Sequence, residues 1–267
     1  MNRFRRSFIV ASLLVNLFSL RAQTPEPSAP ASAIPRVPPP SANLSVQELE
    51  EEGDALRAQK DYLDGMDYYQ AAMKKSPSAV LHNKLGVCLI QLSRFSDARK
   101  QFEVAVKMDG KYAEAHNNLG VTYYQVKRYG TAVKEYKRAI RLKDSNASFH
   151  VNLGSAYFSR QDYDDAGREF NRALQIDPQI FEPQPSGGVS VKLATSGDRA
   201  FFHYTLAKMY GSRGDLERCR LYLSKANEEG YPYIKDALKD SNFAKVREDP
   251  NFVSFVRSLK PPSAESQ

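Results

Sequence analysis

A unit of 33 or 34 residues recurs through the middle of this 267-residue chain and constrains its fold more than any other feature. Each copy has a glycine, a small residue twelve positions later, an aromatic residue four beyond that, and an alanine three further on. A fixed period of this length is typical of proteins built from stacked repeats. The four copies place these residues at Gly53, Gly65, Tyr69 and Ala72; Gly86, Ala98, Phe102 and Ala105; Gly120, Ala132, Tyr136 and Ala139; and Gly154, Ala166, Phe170 and Ala173.

The spacing within one unit predicts a pair of antiparallel helices. In the second unit Leu85, Gly86 and Leu89 share one helical stripe, and Phe102 with its flanking alanines forms another. Residues 93–97, between the two stripes, are too few for anything except a tight connection. One hairpin cannot bury its apolar face alone, so its neighbours must stack on it. The chain is therefore predicted to be all-α.

The same residues carry a family resemblance. The segments 118–124 and 152–158, each followed by the alanine and aromatic positions of its unit, resemble the tetratricopeptide repeat. This resemblance implies a right-handed α-solenoid of helix hairpins. It says little about function, because one repeat fold hosts many unrelated roles.

The repeat pattern divides the chain into segments. Four repeats are assigned to 46–78, 79–112, 113–146 and 147–180. An insert at 181–199, either a loop or a short β-excursion, precedes a degenerate fifth hairpin at 200–230, in which Ala207 and Cys219 replace the usual glycine and alanine. A C-terminal helical cap is predicted at 231–260, with helix starts after Asp240 and Asp249, followed by a disordered tail at 261–267.

The N-terminus has the pattern of a secretory signal peptide over residues 1–22. Three arginines precede an uncharged, mostly apolar run from Ser7 to Leu20, which is too short to cross a bilayer comfortably. We expect an exported protein, periplasmic or secreted, of bacterial type and without a membrane span once the signal is cleaved. An uncleaved N-terminal anchor is the alternative. Removal of residues 1–22 would lower the formal net charge from +7 to +3, since four arginines and no acids leave with them.

Residues 23–44 are predicted to form a disordered linker. Seven prolines, together with serine and alanine, make a semi-rigid extended tether that cannot pack a core. The prolines are Pro25, Pro27, Pro30, Pro35, Pro38, Pro39 and Pro40.

The remaining charge does not indicate a nucleic-acid partner. A basic stretch between Lys127 and Lys143 has its cations between buried positions, which predicts a solvated outer face. No clustered basic footprint of the kind that binds nucleic acid remains elsewhere.

No residue set predicts catalysis, a metal or a cofactor. The four histidines, His82, His116, His150 and His203, occupy one equivalent place per hairpin, and packed helices about 8–10 Å apart separate them. They therefore cannot share one ion, and we interpret them as packing residues between helices. Cys88 and Cys219 lie three hairpins apart and are expected to be buried free thiols.

A binding groove is the one candidate site. In the resembled family the first helices of successive hairpins line a concave face, and apolar anchors beside amide side chains suit a peptide. The alternative is that these are ordinary repeat residues, some of which pack between hairpins. Glu50 stands where a carboxylate clamp would need a lysine, so that mode is not expected. The candidate groove residues are Asn83, Val87, Ile90, Asn117, Val121, Tyr124, Val151, Ser155, Phe158, Tyr204 and Lys208.

These observations favour a non-enzymatic interaction or assembly scaffold of the cell envelope that holds a peptide or protein segment in the groove. Two alternatives remain open at this point. One is a glycan- or lipid-binding envelope protein, and the other is a regulatory subunit of an enzyme on another chain. The sequence identifies neither the partner nor the oligomeric state.

Overall fold

A computed structural model describes residues 36–181 and 196–260, and within these ranges the regular structure is entirely helical. Ten α-helices pair into five antiparallel hairpins, and consecutive hairpins pack on one another as a solenoid. The predicted all-α hairpin fold is confirmed. The helices are α1 (Val46–Ala58), α2 (Tyr62–Lys75), α3 (Ala79–Gln91), α4 (Phe95–Met108), α5 (Ala113–Gln125), α6 (Tyr129–Leu142), α7 (Ala147–Ser159), α8 (Tyr163–Ile176), α9 (Ser196–Arg213) and α10 (Leu216–Glu228).

Several first helices begin at a residue whose side chain caps them. Ser45 accepts from the backbone N–H of Glu48, while the Glu48 carboxylate accepts from the Ser45 N–H, forming a capping box at α1. Ser78 and Asn146 cap α3 and α7 in the simpler way. These side chains satisfy backbone donors that a helix leaves without partners in its first turn.

The turn between the two helices of each hairpin requires a left-handed backbone residue. In the first four hairpins that residue is not glycine: φ is 70° at Lys60, 58° at Ser93, 59° at Lys127 and 67° at Gln161. The fifth hairpin has Gly214 there, with φ of 82°. Since L-residues adopt this conformation at a cost, the first four turns are strained and the fifth is not.

The repeated glycine is explained by the repeated aromatic residue. A Cβ atom added to Gly120 would lie 2.6 Å from Cε1 of Tyr136, and one added to Gly154 would lie 2.6 Å from Cε1 of Phe170. Gly53 and Gly86 face Tyr69 and Phe102 in the same way. The ring of the second helix therefore lies directly on the backbone of the first, which only glycine permits.

The fifth hairpin joins the array differently from the others. Helix α9 begins at Ser196, inside the segment assigned to the insert, and it packs against α8 less extensively than other first helices pack against the preceding hairpin. Residues 182–195, the rest of that insert, lie outside the described residues. Aromatic contacts hold the junction: Phe201 lies 5.4 Å from Phe158, and Phe202 lies 5.2 Å from Phe170, measured between ring centroids.

A C-terminal cap follows the fifth hairpin. Short 3₁₀ helices at Ile234–Leu238, Ser241–Phe243 and Val246–Glu248 lead into α11 (Pro250–Ser258). Both predicted helix starts are confirmed, because Asp240 accepts from the N–H of Asn242 and Asp249 from that of Asn251. The fully buried Phe243 packs on α9, where a Cβ atom at Gly211 would come within 2.9 Å of its ring.

The predicted signal peptide, most of the proline-rich linker and the tail at 261–267 lie outside the described residues. Among the helices that are described, none combines the length and apolar character needed to cross a membrane.

Candidate binding surface

The predicted groove residues lie on the first helices, which contact one another along the array from α3 to α5 and from α5 to α7. The structure divides them by exposure. Six are buried: Asn83, Asn117, Val121, Ser155, Phe158 and Tyr204. Five are partly exposed: Val87, Ile90, Tyr124, Val151 and Lys208.

Buried and partly buried asparagines join neighbouring hairpins. Asn118 donates from Nδ2 to Oδ1 of Asn83 across 2.9 Å, and Asn152 donates in the same way to Asn117 across 2.9 Å. Asn117 in turn donates to Oδ1 of Asn118 at 3.2 Å. These amides form a ladder through the second, third and fourth hairpins. Their hydrogen bonds fix the register of the stacked repeats, so the amides are engaged within the protein.

A charged pair takes the place of the amides at the first junction. Nζ of Lys84 lies 2.6 Å from a carboxylate oxygen of Glu50, at the positions that the asparagines occupy further along. Lys84 also bonds to Asp54, which accepts from the Tyr69 hydroxyl at 2.7 Å. Partial burial of Asp54 opposes its ionisation, but the hydrogen bonds from Lys84 and Tyr69 and the charge of Arg57 together hold its pKa below the usual value.

The N-terminal end of this surface is acidic. An open depression of about 440 Å³ is lined by Val46, Gln47, Glu50, Glu51 and Asp54 of α1. Lys84 lies beside it and neutralises part of its charge. Moving along α3 from Lys84, the next residue on the same face is Val87, since it follows by three positions. The surface therefore changes from acidic to apolar between the first and second hairpins.

The C-terminal end of the surface is covered by the cap. The Tyr204 ring stacks on Tyr231 with centroids 4.2 Å apart, and Lys208 Nζ lies 2.9 Å from a carboxylate oxygen of Asp240. The Tyr204 hydroxyl is buried without a hydrogen-bond partner, and burial raises the pKa of that phenol well above its usual value. The two groove residues predicted on α9 thus contact the cap, and the exposed part of the surface lies on the first four hairpins.

The histidines connect the two helices of their own hairpins through polar contacts. Nδ1 of His116 lies 2.8 Å from Glu135, and Nδ1 of His150 lies 2.7 Å from Glu169. His82 and His203 contact Gln101 and Glu229 through the same ring nitrogen. Throughout the described parts of the chain, no three His, Cys, Asp or Glu side chains are grouped as a metal site would need.

Comparison with known families matches two stretches of the array. A family model described as TPR repeat matches residues 122–159, and one described as tetratricopeptide repeat matches residues 147–180. The chain contains tetratricopeptide repeats over these residues. No significant match to a curated protein is found.

Solved structures of other proteins share the fold at low sequence identity. A thermophilic TPR protein of Thermus thermophilus is 20% identical with a TM-score of 0.50, over 80% of this chain and 100% of that one. The MamA protein of Desulfovibrio magneticus is 14% identical with a TM-score of 0.50, over 71% of this chain and 97% of that one. At these identities the likeness concerns the fold of the tetratricopeptide-repeat array alone.

Proposed function

We propose that this tetratricopeptide-repeat protein is a non-enzymatic interaction scaffold of the cell envelope, which holds a peptide segment of a partner protein against the first helices of its second to fourth hairpins. The observation that carries the proposal is the series of partly exposed apolar side chains on successive first helices. Val87 and Ile90 lie on α3, Tyr124 on α5 and Val151 on α7. Packed repeats keep these side chains at fixed positions, so little side-chain entropy of this protein is lost when a partner binds.

The contacts of the asparagines support an apolar and basic segment as the partner. Because the Asn83 and Asn117 amides bond within the array, recognition depends on apolar anchors rather than on those amides. The acidic depression of α1 adjoins the apolar positions. Charge complementarity then favours a segment with apolar side chains and a basic residue at the end nearest the first hairpin.

The envelope location rests on the N-terminal sequence. A basic start, an apolar run of signal-peptide length and a proline-rich tether before a folded array suit an exported protein held away from its anchor point. Cell fractionation followed by mass spectrometry of the N-terminus tests this. An intact N-terminus in the cytosolic fraction would contradict the envelope assignment without bearing on peptide binding.

Selection from a random peptide library against the purified protein tests the groove. We expect selected peptides to combine apolar residues with a basic residue, and Val87→Glu with Tyr124→Ala to abolish their binding. Val104→Glu is the matched control, because Val104 is an exposed valine on the second helix of the same hairpin as Val87. Peptides that still bind the variant Val87→Glu with Tyr124→Ala, but bind Val104→Glu more weakly, would place the site elsewhere. If the library yields no peptide and the protein instead retains an envelope glycan or lipid, glycan or lipid binding would replace peptide binding as the proposed function.

A further inference from the structure

An exposed row of aromatic rings crosses the junction between the fourth hairpin, the fifth hairpin and the cap. We call Tyr163, Phe201, Tyr231 and Tyr233 the aromatic row. Consecutive ring centroids are 4.6 Å apart from Tyr163 to Phe201, 6.0 Å from Phe201 to Tyr231 and 6.0 Å from Tyr231 to Tyr233. Tyr233 is 63% exposed and Tyr163 is 43% exposed, while the two middle rings are partly covered.

The aromatic row has a rigid backing. The buried Phe158 supports Phe201 at 5.4 Å, and the buried Tyr204 supports Tyr231 at 4.2 Å. Rings held in this way offer large apolar faces without losing further side-chain freedom on binding. The phenol groups of Tyr163 and Tyr233 add hydrogen-bond donors at the two ends of the row.

Rows of exposed tyrosine and phenylalanine rings suit one kind of polypeptide in particular. A polyproline II helix has no internal hydrogen bonds, is stiff before it binds, and packs its proline rings against aromatic side chains. The aromatic row is about as long as five residues of such a helix, which advances about 3.1 Å per residue.

The chain itself contains a segment of this composition. Residues 23–40 hold seven prolines, and Pro38 and Pro39, at its described end, are exposed. Residues 1–35 lie outside the described part of the structure, so a stretch of chain long enough to cover the row precedes the first hairpin. We propose that the proline-rich segment 23–40 of one copy docks on the aromatic row of a second copy.

The prolines next to the first hairpin are too distant from the row of their own chain. Lys75 on α2 donates to the carbonyl oxygens of Ala42 and Leu44, which holds the end of the segment beside the first hairpin. Pro39 is only three residues before Ala42, and a fully extended chain spans at most about 3.6 Å per residue. The aromatic row begins three hairpins further along, with several packed helices about 8–10 Å apart between them. A second copy brings the segment and the row together without this restriction.

Solution mass as a function of concentration tests the proposal on the protein as the cell produces it. Light scattering after gel filtration should show a mass that rises with concentration. Two variants each remove one side of the contact: Tyr163→Ala with Tyr233→Ala removes the outer rings, and replacement of all seven prolines by alanine removes the ligand. Each variant alone should weaken association at least about tenfold, as expected when aromatic anchors are lost. Leu221→Ala, an exposed apolar change on α10, is the control and should associate as the native protein does.

Mixing the two variants gives the decisive result. The proposed contact is heterologous because it joins two different surfaces, the proline segment of one copy and the aromatic row of another. The ring variant still carries the prolines and the proline variant still carries the rings. The mixture should therefore recover a complex that neither variant forms alone. The proposal is overturned if the native protein stays monomeric up to about 1 mM, if either variant associates like the native protein, or if the mixture forms no complex.

Discussion

Asn152 of the fourth hairpin donates a 2.9 Å hydrogen bond to Asn117 of the third, between two side chains that are both buried. The two residues are 35 positions apart, so the contact joins equivalent helices of successive repeats rather than neighbours in sequence. This bond holds the array in register through an amide that was predicted to face a ligand. The assignment of Asn117 to peptide capture stays a prediction, but its amide already has partners.

Replacement of Asn152 by alanine should lower the free energy of unfolding by about 1–3 kcal/mol, because the Asn117 oxygen would stay buried without its donor. Urea denaturation measures this change. The double variant Asn117→Ala with Asn152→Ala should cost less than the two single variants added together, since neither side of the Asn117–Asn152 bond is then left buried without the other. Strict additivity would show that the Asn117–Asn152 hydrogen bond gives no pairwise coupling energy.

Two glycines of the fourth hairpin should respond to alanine with opposite signs. Gly154→Ala places a Cβ atom 2.6 Å from the Phe170 ring and should destabilise the protein by about 1–3 kcal/mol. Gly167 lies inside α8 with nothing within 4 Å of the added atom, so Gly167→Ala should stabilise by up to about 1 kcal/mol. Melting temperatures of the two variants give the comparison, and equal shifts would contradict the packing described for the crossing.

The sequence was sufficient for the first four hairpins because the contact between Gly154 and Phe170 recurs at fixed spacing in each of them. It was also sufficient for the starts after Asp240 and Asp249, where a cap acts on the next two or three residues. Both the hairpins and these helix starts depend only on residues close together in sequence, so they can be predicted without knowing how distant segments meet.

The ladder and the cap contacts depend on how distant segments meet. Three junction residues were not predicted: Lys84, Asn118 and Asn152. The available signal was their spacing of 34 or 35 residues from Glu50, Asn83 and Asn117. No such spacing predicted the contact of Tyr204 with Tyr231, since this contact depends on how the cap folds back on α9. The start of α9 at Ser196 could not be predicted either, because the sequence before it lacks the repeat pattern.

The strained hairpin turns predict another pair of opposite effects. Gln161→Gly should relieve a left-handed residue that costs about 1–2 kcal/mol, less the 0.5–1 kcal/mol or so that glycine loses in chain entropy. We expect a gain of up to about 1 kcal/mol in unfolding free energy. Gly214→Gln introduces the strain in the fifth turn and should give a loss of similar size. Denaturant titration of both variants tests this, and stabilisation by Gly214→Gln would contradict it.

The carboxylate of Asp54 should make stability depend on acid pH. Its pKa is lowered in the folded protein, so the stabilisation is present above the unfolded value, near 3.9, and is lost as the pH falls through the folded value. Urea unfolding between about pH 6 and pH 2.5 should show a smaller decline for Asp54→Asn than for the native protein. Asp61→Asn is the control, because Asp61 lies in the same hairpin, is exposed and makes no side-chain cap. An identical decline in native protein and Asp54→Asn would remove Asp54 as the cause.

The chemistry that links one hairpin to the next differs from junction to junction. A Glu50–Lys84 ion pair joins the first two hairpins, amides join the next two pairs, and the rings of Phe158 and Phe201 join the last. If the second and third hairpins exchanged places, Glu50 would meet the Asn118 amide, and Lys84 would face Asn117 in place of a carboxylate. The repeats look alike in sequence, yet they are not interchangeable parts, and their serial order along the chain is itself specified by the side chains at their boundaries.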